Sequence, residues 1–126
     1  MTLFVKQDFI SHAGIGLDWK IECDALTDDD VECLAFLASK VALPFRTVVG
    51  IPGGGVRIAN AMLKYSSDET DSVLIVDVVY TTGMSMREQL DSWGRLNRDV
   101  QGLVLFSRSQ NMDERVRAIF RINPHV

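Results

Sequence analysis

The residues best suited to chemistry lie in one stretch, Val73 to Ser85 (VLIVDVVYTTGMS). Val73, Leu74, Ile75 and Val76 form a continuous apolar run that reads as a strand buried on both faces. Asp77 closes the run, and an acid at the carboxyl end of such a strand sits where open α/β sheets bind ligands. Thr81, Thr82, Gly83, Met84 and Ser85 follow, and after them Met86, Leu90, Trp93 and Leu96 recur near one face of a helix. Strand, acid, hydroxyl-glycine loop and helix start make a cradle for a phosphate ester. Amides at a helix N-terminus point at the anion, and the helix dipole adds roughly half a positive charge there. The residues alone also fit an ordinary buried strand followed by a capped helix.

A second loop of similar construction lies upstream. Phe45 to Ile51 reads as a strand that runs into Pro52, Gly53, Gly54 and Gly55, then a helix from about Val56 to Lys64 with Ile58, Ala59, Met62 and Leu63 turned inward. Consecutive glycines let the backbone approach a diphosphate closely, and Arg57 stands one turn further on. Arg108, just past another apolar strand, falls on the same rim and fits either a ligand contact or a surface arginine.

These loops need a frame, and the rest of the chain supplies one. Residues 1–18 read as irregular with turns at Gly14 and Gly16, and Trp19 to Cys23 as a short strand. Thr27 is the expected N-cap of a helix that carries Asp28, Asp29 and Asp30 in its first turn, Val31, Leu34, Leu37, Ala38 and Val41 on its apolar face, and Pro44 as its stop. The aspartate triplet also fits a metal site. Ser66 to Asp71 is a short polar turn, Val100 to Phe106 a buried strand, Asp113 to Arg117 a helical turn, and Val116 to Ile122 an edge strand. The expected architecture is a single α/β domain with a mostly parallel sheet of four or five strands, helices on both faces and right-handed connections. His12 and His125 have no nucleophile or ligand cluster near them in sequence.

Composition narrows the class. The chain has 126 residues, 47% hydrophobic and 24% charged, which is enough for one domain with a real core. A net charge of −4 argues against a nucleic-acid surface, which needs a clustered basic face. No apolar run approaches the ~20 residues that cross a bilayer, so no membrane partner is expected. The start MTLFVKQDF lacks a basic region followed by an apolar core, and Cys23 and Cys33 have neither disulfide density nor metal-site partners. Reduced thiols and a cytoplasmic location are therefore expected.

Val73 to Ser85 resembles the signature of the type I phosphoribosyltransferases: four apolar residues, two acids, two variable positions, Thr-Thr-Gly, one variable residue, then Ser or Thr. This chain keeps Asp77, Thr81, Thr82, Gly83 and Ser85, and has Val78 at the second acid. VVGIPGGGVRIANAM resembles the family's pyrophosphate loop, with Gly53 where a basic residue is frequent. FISHAGIGLDWKIE resembles the amino-terminal motif of the orotate enzymes: Phe9, Gly14 and Glu22 fall in register, while Ala13, Leu17 and Lys20 differ.

The resemblance implies a phosphoribosyltransferase-like, Rossmann-like three-layer fold, with residues 1–24 as a reduced hood over the base and 25–126 as the core. It further implies phosphoribosyl pyrophosphate (PRPP) as substrate, Mg²⁺ as cofactor, and a homodimer. Thr81, Thr82, Gly83, Met84 and Ser85 would hold the 5′-phosphate. Asp77 would face the ribose hydroxyls and reach the metal through them or through water. Pro52, Gly53, Gly54, Gly55 and Arg57 would hold the pyrophosphate. Thr81 stands where the family's hypoxanthine-guanine enzymes carry an Asp, which argues against a 6-oxopurine, and the orotate-like amino terminus favours a pyrimidine or another small acidic base as acceptor. No long catalytic loop fits between Lys64 and Val73. Three functions follow: an orotate-like phosphoribosyltransferase, a module that binds PRPP or a nucleotide 5′-phosphate without turnover, or a different phosphate-ester enzyme or structural domain.

Overall fold

The structure, a computed structural model, describes residues 4–10, 16–21, 25–96 and 99–122. Strands β1 (Phe4–Ile10) and β2 (Gly16–Ile21) pair antiparallel as a separate two-stranded ribbon. Residues 1–18 are thus not irregular throughout, and the second strand begins before Trp19. Part of the expected hood motif, including Ala13, Gly14 and Glu22, lies outside the described residues, as do Cys23, His12 and His125.

The main sheet is all parallel, in the order β3-β4-β5-β6, with β3 at Thr47–Gly50, β4 at Val73–Tyr80, β5 at Val100–Ser107 and β6 at Val116–Arg121. Helix α1 (Asp28–Val41) starts as its sequence dictates. The Thr27 hydroxyl accepts from the Asp30 amide at 3.1 Å, and the Thr27 amide donates to the Asp30 carboxylate at 2.9 Å. This reciprocal cap satisfies two donors that a helix end otherwise leaves open. It accounts for Asp30 without a metal, and no metal-type cluster of three His, Cys, Asp or Glu side chains occurs among the described residues.

Helices α1 and α2 (Gly55–Met62) cover one face of the sheet, where Ile58 and Met62 meet Leu74, Val76, Val78, Leu103 and Leu105. Helix α3 (Met84–Gly94) covers the other, where Met86 and Leu90 meet Val73, Ile75 and Val104. This is the expected three-layer arrangement. The alternation along β4 decides it, since successive side chains leave opposite faces. Three leucines of the expected helix faces are misplaced by the sequence reading: Leu37, Leu63 and Leu96 are exposed, and Ala35 takes the buried position on α1.

The expected handedness does not hold throughout. β3, β4 and β5 advance in one direction across the sheet, yet α2 and α3 cross on opposite faces. Two consecutive parallel connections of that kind have opposite hands. The β5–β6 connection packs Met112 on the α3 face, so the crossing through α2 is the odd one. A right-handed crossing there would put the next strand beyond β3. The burial of the two strands matches their places in the sheet. Val73 to Val76 are almost wholly inaccessible and need a central position, whereas the four half-buried residues of β3 tolerate the edge. The connector is short, and Ser67 and Arg46 tie it to the base of β3 through Ser67 N–H to Phe45 O (2.7 Å) and Arg46 N–H to Ser72 O (2.9 Å).

No helical turn forms at Asp113 to Arg117. A reverse turn closes with Val116 N–H donating to Asp113 O at 3.0 Å, and β6 begins at once.

Candidate functional site

β4 runs three residues past Asp77, to Tyr80, before the chain turns into α3. The turn depends on Gly83, which caps α3 with φ +78°. A side chain there would be strained by its backbone angle, and its Cβ would lie 2.1 Å from the Tyr80 hydroxyl. Tyr80 is 2% exposed and fills the space beneath the loop. Its hydroxyl accepts from the Asp113 amide at 3.1 Å, and its carbonyl accepts from the Arg108 amide at 2.9 Å. Thr82 Oγ1 accepts weakly from the Met84 amide at 3.4 Å. The first backbone bond of α3 runs from Arg87 N–H to Gly83 O, so the amides of Met84, Ser85 and Met86 have no acceptor inside the helix.

Asp77, Thr81, Thr82, Gly83, Met84 and Ser85 line one hollow of about 60 Å³. The structure therefore brings the expected acid and the whole expected loop to one place. Asp77 is half-buried, and burial raises its carboxyl to about 6, against the lowering effect of the Val78 amide that donates to it at 2.7 Å. A carboxyl of that kind is mostly ionised at neutral pH and able to accept from hydroxyls.

The second loop is built differently. Gly55 lies so close to β4 that a Cβ would sit 2.4 Å from the Val76 carbonyl oxygen. Gly53 has φ +114° with open space around it. The backbone thus hugs the strand as expected for Pro52 to Gly55, but the charge is engaged elsewhere. Arg57 donates to Leu26 O and to Asp28 Oδ1, each at 3.1 Å, so its guanidinium is turned to the start of α1. Val78, 2% exposed, faces this side with Leu26, Val31 and Ile58, and together with Gly53 and Arg57 they line a second hollow of about 60 Å³. Asp77 and Val78 thus serve opposite sides of the sheet end. An acid at position 78 would be buried among these aliphatic side chains.

Sequence reasoning missed two residues that support the first hollow. One is Tyr80, whose role rests on contact with Gly83 and on no local signal. The other is Asp113, held by Arg115 through two bonds of 2.9 and 2.7 Å from Nε and Nη2, which keep its carboxyl down at about 2. Arg115 also reaches Asp91 on α3 at 3.1 Å, so the rim is braced from Tyr80 to the helix above it. Arg108 lies on the rim as expected, and burial lowers its affinity for the proton. A larger hollow of about 530 Å³ opens at the amino ends of the strands. Glu69 and Asp99 are its charged residues, which suits no phosphate.

Sheet, layers and rim together give the chain the fold of the type I phosphoribosyltransferases, of the orotate kind. No protein-family model matches the sequence, and no curated protein matches it. Among solved structures, orotate phosphoribosyltransferase from Aeropyrum pernix is similar at a TM-score of 0.75 and 18% identity, over 95% of this chain and 88% of that one. UMP synthase from Leishmania donovani is similar at a TM-score of 0.77 and 15% identity, over 97% of this chain but 34% of that one. Orotate phosphoribosyltransferase from Francisella tularensis is similar at 0.66 and 14% identity, over 94% and 80%. At such identities the likeness is one of fold. No helix among the described residues is long and apolar enough to cross a membrane.

Proposed function

We propose that this protein recognises a ribose 5′-phosphate group, with the phosphate on Thr81 to Ser85 and Asp77 facing the ribose hydroxyls. The reaction that such a site serves on this fold is PRPP-dependent transfer of the phosphoribosyl group to a nitrogenous base. The observation that carries the reading is the shared hollow of Asp77 and the Thr-Thr-Gly loop at the N-terminus of α3. Amides without an acceptor inside the helix, together with the helix dipole, suit a dianionic ester, and a carboxylate across the hollow suits a diol. In the transfer, the base nitrogen bonds to C1 as the bond to the pyrophosphate oxygen breaks, through an oxocarbenium-like state. Catalysis of that kind rests on holding C1 between base and leaving group. Thr81 as the residue two before Gly83 argues against a 6-oxopurine, and the orotate-like amino terminus favours a pyrimidine or another small acidic base.

Mg²⁺ would act by neutralising the departing diphosphate. The residues do not fit a metal held by the protein: Asp77 is the one acid of the first hollow, and the second offers aliphatic groups where a second carboxylate would stand. A module that binds the phosphoribosyl group without turnover is a second reading, and the Arg57–Asp28 pair and Val78 favour it. A homodimer in the cytoplasm completes the proposal, supported by exposed Phe36 and Leu37 on α1 and exposed Leu63 after α2.

Incubation of the protein with PRPP, Mg²⁺ and a panel of bases, orotate included, tests turnover. Pyrophosphate release that needs both PRPP and a base, and that disappears in Thr82→Ala, is the expected result for a transferase. PRPP or ribose 5-phosphate binding without release selects the module, and no binding of either rejects both readings.

A further inference from the structure

We propose that Asp113 and Arg115, on the connection between β5 and β6, are positioning residues for the Thr81–Ser85 loop. They hold Tyr80 in place, and Tyr80 sets the backbone of Gly83, from which the first amides of α3 are presented. The inference rests on the phosphoribosyl reading of that loop and concerns what keeps it ready for a phosphate.

One segment, from the end of β5 to the start of β6, grips Tyr80 at both ends. The Tyr80 carbonyl accepts from the Arg108 amide at 2.9 Å, and the hydroxyl accepts from the Asp113 amide at 3.1 Å. Gly83 lies directly on the ring: the hydroxyl, Cζ and Cε2 of Tyr80 are the nearest atoms to a Cβ built there, at 2.1, 2.3 and 2.8 Å. With no side chain between them, a shift of the phenol passes straight to the loop backbone.

Asp113 is itself fixed with unusual completeness. Its carboxylate accepts from the Arg115 amide at 2.9 Å, from Nε at 2.9 Å and from Nη2 at 2.7 Å. Its carbonyl accepts from the Val116 amide at 3.0 Å, and the Arg115 carbonyl accepts from the Gly102 amide at 2.9 Å, so the turn is stapled to both strands. A guanidinium fork on a carboxylate sets orientation as well as distance. The Asp113 side chain is only 14% exposed, so water screens this pair less than a surface one. The contact from Arg115 Nη1 to Asp91 on α3, at 3.1 Å, meets an exposed carboxylate and counts for less. Neither Asp113 nor Arg115 lines the hollow of the loop, whereas Tyr80 does. Their route to a ligand is therefore through Tyr80. Amides already held in the binding arrangement take up an anion without a further ordering cost.

The test compares wild type with Arg115→Lys, which keeps the charge and loses the fork, with Tyr80→Phe, which keeps the ring and loses the hydroxyl, and with the double variant. Amide resonances of the ligand-free full chain are read first. Those of Gly83, Met84 and Ser85 are expected to shift in both single variants, while those of Leu74 to Val76 in the centre of β4 hold their places and show the fold intact. Ribose 5-phosphate is then titrated calorimetrically. Each single variant is expected to bind about tenfold more weakly than wild type, and the double variant no more weakly than the worse single one, because the two changes cut the same path. Asp91→Asn is expected to change affinity by less than about twofold. If wild type binds and Arg115→Lys binds equally well, or the losses multiply in the double variant, the inference is overturned and the phosphoribosyl reading stands. No binding by wild type would overturn that reading, and the inference with it.

Discussion

Two strand-to-helix junctions stand side by side on this sheet, β3 into α2 and β4 into α3, and both carry glycines where the backbone turns. At the α3 junction, glycine opens the loop: Gly83 takes a positive φ above Tyr80, and the loop residues line a hollow that Asp77 shares. At the α2 junction, glycine closes it: Gly55 lets the helix start press on the Val76 carbonyl, and aliphatic side chains fill the neighbourhood. On the proposed reading the first junction serves a ligand, while the second is given over to packing. Glycine content alone therefore says little about phosphate binding. What separates the junctions is where the nearest charged side chains are committed.

Substitutions at the two glycines break the comparison most strongly. Gly55→Ala places a methyl against backbone that cannot move aside, so a loss of about 3 kcal/mol is expected in denaturant unfolding. Gly83→Ala is expected to destabilise less, by about 2 kcal/mol from its backbone angle and the Tyr80 contact, and to abolish binding of ribose 5-phosphate. If Gly55→Ala unfolded no more easily than wild type, the packing role of the α2 junction would be refuted.

Asp77→Asn sharpens the functional side. The folded-state carboxyl titrates at about 6, above the ordinary 3.8, so ionisation costs stability: nothing below pH ~4, rising to a full penalty above pH ~7. The Asn variant is expected to be more stable than wild type at pH 8 by on the order of 2 kcal/mol, and equal to it at pH 3.5. Its ligand affinity should fall at neutral pH, a gain in stability at the expense of binding. Equal stability at pH 8 would mean that Asp77 is better solvated than its surroundings imply. Thr82→Ala is expected to weaken ribose 5-phosphate about tenfold, with an unfolding midpoint close to wild type. The smallest effect belongs to Asp28→Ala. Its ion pair with Arg57 is exposed, so the loss of that pair and of one helix-dipole contact should lower the thermal unfolding midpoint only slightly.

Local signals made much of this legible in sequence. Thr27 and Asp30 are three residues apart, and a reciprocal cap needs no more than that. Val73 to Val76 announce a central strand, and Thr81 to Ser85 announce the loop, because each is contiguous. Even the division between Asp77 and Val78 is implicit in strand alternation once β4 is known to continue to Tyr80. What could not be read depends on distant partners. Arg57 looks available until Asp28, 29 residues earlier, is placed beside it. Tyr80 looks like any strand aromatic until Gly83 folds over it. The hand of the α2 crossing also escapes the sequence, because the general rule for parallel connections predicts the opposite hand.

The most direct measurement is a crystal structure of the protein with ribose 5-phosphate. The phosphate is expected within hydrogen-bonding distance of the Gly83, Met84 and Ser85 amides, with the ribose hydroxyls on Asp77 and the aliphatic hollow around Val78 empty of phosphate. A phosphate seated instead on Gly53 to Gly55, with Arg57 swung away from Asp28 to meet it, would contradict the account.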